Sequence, residues 1–517
     1  MNVGLATTRS ARRYGDRLAA FEGERSLTWR ELDARSNRLA NLLRDGLGLS
    51  RGARVALLAP NRLEVAEVLA GIAKAGMVYV GLNFRMSASD LGHVMANAEP
   101  ELLLVSGDLR ELADEVAGPR GIAVLDLDET GGDGYPARRD AADDAPPASL
   151  HEVRPEDDFC IVYTSGTTGT PKGVWFDHGR VLQHATVACL EYELDADSRY
   201  LIAIPHNSSV NITLVPCMTI GAAVGFLDTR GFDPVVFADA VEDHGVTHSY
   251  LVPTQLYRLL DQLPADTTKL RSIVTLGYGA APMSPDRAGE LVERFGPVFN
   301  QLYGMAEVAS IGTMLRKQDH VRALEGRPEL LRSAGQPSYV MDVRVVDDDG
   351  NDVGVGERGE VIFAAPYMMK GYYRDPERTA GTLVDGWIHS GDIAEVDQDG
   401  YLYVVDRKKD LIIRGGYNLS PTEVEAALLR HPAVLEAGVI GVPDPEWGEA
   451  VCAVVAARAG AEPTAEELIA WCRETEGLPT LKTPERVEFV DSLPKNAVGK
   501  IDKGALREDH WTGERKV

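Results

Sequence analysis

The run Tyr163-Thr164-Ser165-Gly166-Thr167-Thr168-Gly169-Thr170-Pro171-Lys172-Gly173-Val174 limits what this chain can fold into more than any other stretch. It follows directly on the apolar segment Phe159-Cys160-Ile161-Val162, so a buried strand must open at its end into a turn rich in glycine and hydroxyls. Glycines let backbone N–H groups face a ligand, and five Ser/Thr hydroxyls with one lysine add donors and positive charge. Such a loop suits a polyphosphate. It is not a Walker loop, because no Gly-Lys-Ser/Thr closes it.

Around this loop, strand-length apolar runs (Arg54–Leu58, Ala223–Leu227) alternate with helix-like stretches such as Leu63–Ala75, the pattern of wound α/β layers. Residues 126–158 carry eleven acidic against three basic residues, with Gly131-Gly132 and Pro146-Pro147, and read as a solvated loop. The most apolar stretch, Tyr200–Leu227, is broken by Pro205, His206, Asn207, Asn211 and Pro216, which suits buried core and not a membrane span. The sequons at Asn207 and Asn211 lie inside it and read as chance.

A second, smaller α+β body is expected from Arg407. Ser420-Pro421-Thr422-Glu423 offers an N-cap, a first-turn proline and a capping-box glutamate, and Thr464 with Glu467 repeats that logic. Val434–Val442 and Ala450–Ala457 read as strands between them. The expected domains are 1–406 and 407–517.

The 517 residues carry a net charge of −26, which repels nucleic acid and anionic lipid. Neither is expected as a main partner. Five scattered cysteines fit reduced thiols rather than a disulfide frame or a Cys-based metal site, and the residues after Arg9, Arg12 and Arg13 lack the hydrophobic region of a secretory signal, so a cytoplasmic location is expected.

Further motifs follow the loop in order: Gly279-Ala280-Ala281-Pro282, Gln301-Leu302-Tyr303-Gly304-Met305-Ala306-Glu307, Gly356-Glu357-Arg358-Gly359-Glu360 and Ser390-Gly391-Asp392. They continue as Asp406-Arg407-Lys408-Lys409-Asp410, Arg414-Gly415-Gly416-Tyr417-Asn418 and Pro494-Lys495-Asn496-Ala497-Val498-Gly499-Lys500-Ile501. With the loop, the chain resembles the adenylate-forming superfamily of acyl- and aryl-CoA synthetases, peptide-synthetase adenylation domains and beetle luciferases, over nearly its whole length.

The resemblance implies a large adenylate-forming domain and a small mobile C-terminal domain. It also implies ATP, Mg²⁺ and either CoA or the phosphopantetheine of a separate carrier protein, with a small-molecule carboxylic acid as substrate. Joining a carboxylate to the α-phosphate brings two anions together, and the site must neutralise the charge.

By resemblance Thr164, Ser165, Gly166, Thr167, Thr168, Gly169 and Lys172 hold the β- and γ-phosphates, and Glu307 ligates Mg²⁺. Gly279, Ala280 and Ala281 line the adenine, Tyr303 stacks on it, and Asp392 and Arg407 bind the ribose hydroxyls. Lys500 bridges the carboxylate and the α-phosphate. Lys409 is the hinge of a domain rotation. Arg414, Gly415 and Gly416 line the thiol tunnel, although the two glycines also read as an ordinary β-turn.

Ala306 stands where family members usually carry a threonine, and aryl-acid-activating members share the string Gly-Met-Ala-Glu. His206 and Asn207 fall at the acid-gate motif, with Tyr278, Val308 and Ser310 as candidate walls. A hydrogen-bonded core His and Asn is the competing reading. The expected reaction is acid–thiol ligation through an acyl-adenylate, leaning toward a hydroxy- or amino-substituted aryl acid. Carrier-protein loading, a non-thiol acceptor or a non-carboxylic acid is the alternative.

Overall fold

The computed structural model describes residues 1–164, 170–495, 501–508 and 510–511. Among them the chain forms two compact units, one of residues 1–164, 170–343 and 363–388 and the other of 344–362 and 389 onward. Residues 389–406 therefore group with the second unit. The 406/407 division concerns which part moves and remains an expectation.

The first unit holds a seven-stranded sheet in the order Gly371–Tyr372, Lys172–Asp177, Asp158–Thr164, Val78–Leu82, Arg54–Leu58, Leu102–Val105, Ala123–Asp126. From Asp158–Thr164 to Ala123–Asp126 neighbours run parallel, which explains why Val55–Leu58, Val78–Leu82 and Phe159–Tyr163 are buried runs without polar alternation. Lys172–Asp177 turns back antiparallel on Asp158–Thr164 and sets Thr164 opposite Lys172. A nine-stranded sheet in the same unit brings Thr275–Gly279 and Phe299–Tyr303 side by side, parallel, with Gly279 opposite Leu302.

Helix Glu64–Ala75 is buried throughout and closes on Gly76 at φ 71°, a left-handed cap that glycine adopts at no steric cost. Its charges are paired. Lys74 Nζ donates to Asp33 at 2.5 Å and Asn37 at 2.8 Å, while Glu67 accepts from Tyr135 at 2.6 Å and Arg139 at 2.8 Å. These last partners correct the solvated-loop expectation for 126–158. Tyr135–Asp140 is a helix, and Tyr135 and Leu150 are fully buried, because the buried Glu67, paired on one side with Arg35 at 3.3 Å, takes its remaining partners from this segment.

The broken apolar stretch is core, as expected: Arg199–Ile202 and Ala223–Phe226 are strands of the nine-stranded sheet. No helix among the described residues is long and apolar enough to cross a membrane.

In the second unit, Val434–Asp444 and Gly448–Ala457 form a long antiparallel pair, joined by Ile412–Arg414, Tyr417–Leu419 and the parallel strand Arg486–Phe489. The Thr464–Glu467 capping box is present. The Ser420 box is not: the Ser420 hydroxyl donates to Asp406 at 2.8 Å, and Asp406 accepts the Thr422 N–H at 3.0 Å, so a carboxylate from the earlier strand Leu402–Arg407 caps that helix.

Candidate active site

Where strands Asp158–Thr164 and Lys172–Asp177 pair at Thr164 and Lys172, Lys172 Nζ lies 2.9 Å from Glu307 Oε1 and donates to the Tyr372 hydroxyl at 2.9 Å. The Tyr372 hydroxyl in turn donates to the same Glu307 oxygen at 2.5 Å. Three separate segments build this cluster. Tyr372 sits on a two-residue strand paired with Lys172–Asp177, opposite Val174. Glu307 sits on one turn of 3₁₀ helix after strand Phe299–Tyr303, tied down by Met369 N–H donating to its carbonyl at 2.8 Å.

Burial, and then the adjoining Glu307 carboxylate, push the Tyr372 phenol upward, so it stays a protonated donor. The Lys172 ammonium also lies over the Tyr372 ring, 4.7 Å from its centroid. Both Glu307 contacts fall on Oε1, and Oε2 is the remaining oxygen for a hard cation, so the buried carboxylate fits Mg²⁺. Tyr372 was not among the residues expected from sequence. It stands 200 positions from Lys172 and 65 from Glu307, and no local pattern links them.

The Gly279-Ala280-Ala281-Pro282 motif closes strand Thr275–Gly279. A Cβ on Gly279 would come within 2.2 Å of the Leu302 carbonyl oxygen, and Ala280 adopts φ 68°, a left-handed conformation costly for alanine. Tyr303 ends the neighbouring strand, its ring 5.9 Å from that of Phe363. Both motifs lie at carboxyl ends of adjacent parallel strands, where open α/β sheets bind ligands.

Of the acid-pocket candidates, His206 is locked. Its Nδ1 lies 3.0 Å from the Tyr79 hydroxyl and its Nε2 3.1 Å from the Ala59 carbonyl, so Nε2 carries the proton, and burial pushes its pKa down to about 4. Asn207 is buried and packs over Gly81, where a Cβ would meet its Cα at 3.1 Å. Val308 is buried, and Ser310 adopts φ 81°. Tyr278 sits in the core, its hydroxyl 2.8 Å from His320 Nε2 and 3.0 Å from Gln301 Oε1.

A further buried group, His184 on helix His178–Tyr192, went unforeseen. Its Nδ1 lies 3.2 Å from the Asn211 carbonyl and must carry the proton, which leaves Nε2 an acceptor with no partner among the described residues. Its ring stands edge-on to Tyr367 at 5.3 Å, and burial lowers its pKa to about 4. A histidine within a helix gives no sequence signal by which to find it.

Within the second unit, Asp392 and Arg407 face each other across paired strands with Arg407 Nε 3.2 Å from Asp392 Oδ1. Lys409 lies in the 3₁₀ turn Lys408–Asp410, its pKa lowered chiefly by burial. Arg414 pairs with Glu485 and donates to the Leu481 carbonyl at 3.1 Å. Gly415 and Gly416, at φ 56° and 82°, form the two-residue turn of a hairpin, and a Cβ on Gly415 alone would meet Trp447, at 2.8 Å. Ser165, Gly166, Thr167, Thr168, Gly169 and Lys500 lie outside the described residues.

These motifs coincide with a family model. Residues 7–373 match the model described as AMP-binding enzyme, and 423–500 match its C-terminal domain. The chain belongs to the AMP-binding enzyme family. This AMP-binding enzyme is 39% identical over 512 residues to a feruloyl-CoA synthase from Amycolatopsis sp, covering 98% of the chain and 99% of that relative. It is 34% identical to the fatty acid–[acyl-carrier-protein] ligase ScoC of Streptomyces coeruleorubidus, covering 95% and 93%. Among solved structures it is similar to the amide bond synthetase McbA from Marinactinospora thermotolerans, with a TM-score of 0.86, 32% identity and 98% and 99% covered. The AMP-binding enzyme is an adenylate-forming ligase of the acyl- and aryl-CoA ligase type, which uses ATP and releases AMP and pyrophosphate.

Proposed function

We propose that this AMP-binding enzyme activates a hydroxy- or amino-substituted aryl carboxylic acid as its adenylate and transfers the acyl group to CoA. The observation that carries the aryl reading is His184: a buried acceptor nitrogen without a partner among the described residues is costly unless a ligand donor, such as a phenol hydroxyl or an aryl amine, satisfies it. Buried Asn207 and the likeness to a feruloyl-CoA synthase support it.

In this reading the loop from Thr164 to Lys172 holds the β- and γ-phosphates, and Glu307, oriented by Lys172 and Tyr372, ligates Mg²⁺. The cation, when bound, neutralises phosphate charge. Gly279, Ala280, Ala281 and Tyr303 receive the adenine, and Asp392 and Arg407 the ribose hydroxyls. Lys500 stabilises the charge that develops between the carboxylate and the α-phosphate. Residues 407–517 move as a body about Lys409 before thioester formation, and the turn at Gly415-Gly416 then meets the thiol arm. His206 shapes the acid pocket through Tyr79 and Ala59, beside Val308 and Ser310.

The test is pyrophosphate release on a panel of benzoic, hydroxy- and aminobenzoic, cinnamic, hydroxycinnamic and medium-chain fatty acids, with and without CoA. Turnover of a hydroxy- or aminoaryl acid accelerated by CoA supports the proposal, and preference for a fatty acid overturns it. A second reading, favoured by the likeness to McbA, delivers the acyl group to an amine, and the likeness to ScoC points to a carrier thiol. Adenylation that ignores CoA but responds to added amines or a carrier protein would select these.

A further inference from the structure

A cluster unrelated to adenylation lies in the second unit, where Cys452, Glu488 and His510 bring a sulfur, an oxygen and a nitrogen within 4.8 Å of one another. Cys452 is fully buried on strand Gly448–Ala457. Glu488 belongs to the adjoining parallel strand Arg486–Phe489, whose register sets it opposite Val454, so it shares a face of the sheet with Cys452. His510 follows helix Lys503–Glu508 and places Nε2 3.4 Å from Glu488 Oε2. Two contacts hold this chain end over the sheet: Leu506 packs against the Ile440, Val442, Ala450 and Cys452 cluster, and Trp511 Nε1 donates to the Gly441 carbonyl at 3.0 Å.

We infer that Cys452, Glu488 and His510 form a zinc site, with water as the fourth ligand. Thiolate, carboxylate and imidazole are the three side chains zinc takes, and three protein ligands plus one water complete a tetrahedron. The sulfur and nitrogen argue against Mg²⁺ or Ca²⁺, which take oxygen ligands. Cys452 closes the inner side, while Glu488 and His510, with side chains 45% and 18% exposed, leave the outer side open for entry. It is the one such group of at least three His, Cys, Asp or Glu among the described residues. A bound ion would fasten the segment beyond Ile501 to two strands of the sheet.

The test uses the full chain, stripped with a chelator and desalted, without ATP or Mg²⁺. Zinc is titrated in competition with a chromophoric chelator, and cobalt is used as the spectroscopic probe. One zinc per chain is expected, with intense tetrahedral cobalt bands and a thiolate-to-cobalt charge-transfer band. His510→Ala should weaken zinc binding by more than about 100-fold, since even outer ligand partners are worth 10–100-fold. Cys452→Ser should abolish the charge-transfer band. Absence of stoichiometric zinc, a cobalt spectrum without the thiolate band, or affinity unchanged in His510→Ala would each overturn the site.

Discussion

Replacing Tyr372 by phenylalanine tests whether the Lys172–Tyr372–Glu307 cluster is catalytic machinery or packing. The substitution removes one hydroxyl and keeps the ring, so the Lys172 ammonium retains its ring contact at 4.7 Å and its ion pair with Glu307 at 2.9 Å. What is lost is the 2.5 Å hydrogen bond to a buried carboxylate together with the 2.9 Å hydrogen bond that the hydroxyl accepts from Lys172. Hydrogen bonds to charged groups contribute about 1.5–3 kcal/mol, and each 1.4 kcal/mol is tenfold in rate, so adenylation should slow by about 10–100-fold. The assay is ATP–pyrophosphate exchange with the accepted acid. The loss should fall on kcat, with the KM of the acid near wild type, and thioester formation from a supplied acyl-adenylate should survive. Stability should fall by no more than those hydrogen bonds contribute, because the ring is kept. A rate within about twofold of wild type, or a loss carried by the KM of the acid instead of kcat, would refute the reasoning.

Lys500→Ala should cut adenylation by about 10²–10³-fold, the usual size for one preorganised charge-stabilising donor. Thioester formation from supplied adenylate should remain, and equal loss in both half-reactions would contradict its assigned role. His184→Leu should lower kcat/KM for the hydroxyaryl acid by about 10–100-fold while leaving the unsubstituted acid nearly unaffected, as loss of a buried hydrogen-bond partner predicts. A uniform loss across acids would show a structural role instead. For pH, burial lowers His178 to about 3 and His184, His206, His248 and His320 to about 4. Between the unfolded value of about 6.5 and those values the unfolded chain binds protons the folded chain does not. Stability should therefore fall as pH drops through that window, by about 1.4 kcal/mol per unit for each histidine. A denaturant midpoint at pH 5 equal to that at pH 7 would contradict this.

The sequence by itself determined whatever depends on neighbours along the chain. The apolar run Phe159–Val162 followed by a glycine and hydroxyl turn reads as strand and phosphate loop, and the structure places a strand there with Lys172 returning beside it. The Thr464–Glu467 box forms because both partners lie within one helical turn. The family itself was legible, since its motifs are short and ordered. Tertiary structure decided what depends on long-range burial. Asp406 displaces Ser420 as cap from 14 residues away, and Tyr135 is drawn into the core to satisfy Glu67. Tyr372 joins Lys172 and Glu307 only because strand pairing brings distant segments together. The acid pocket resists sequence reading for the same reason. The buried His184 nitrogen, proposed here as part of it, gains meaning only from which partners the fold supplies and which it withholds among the described residues.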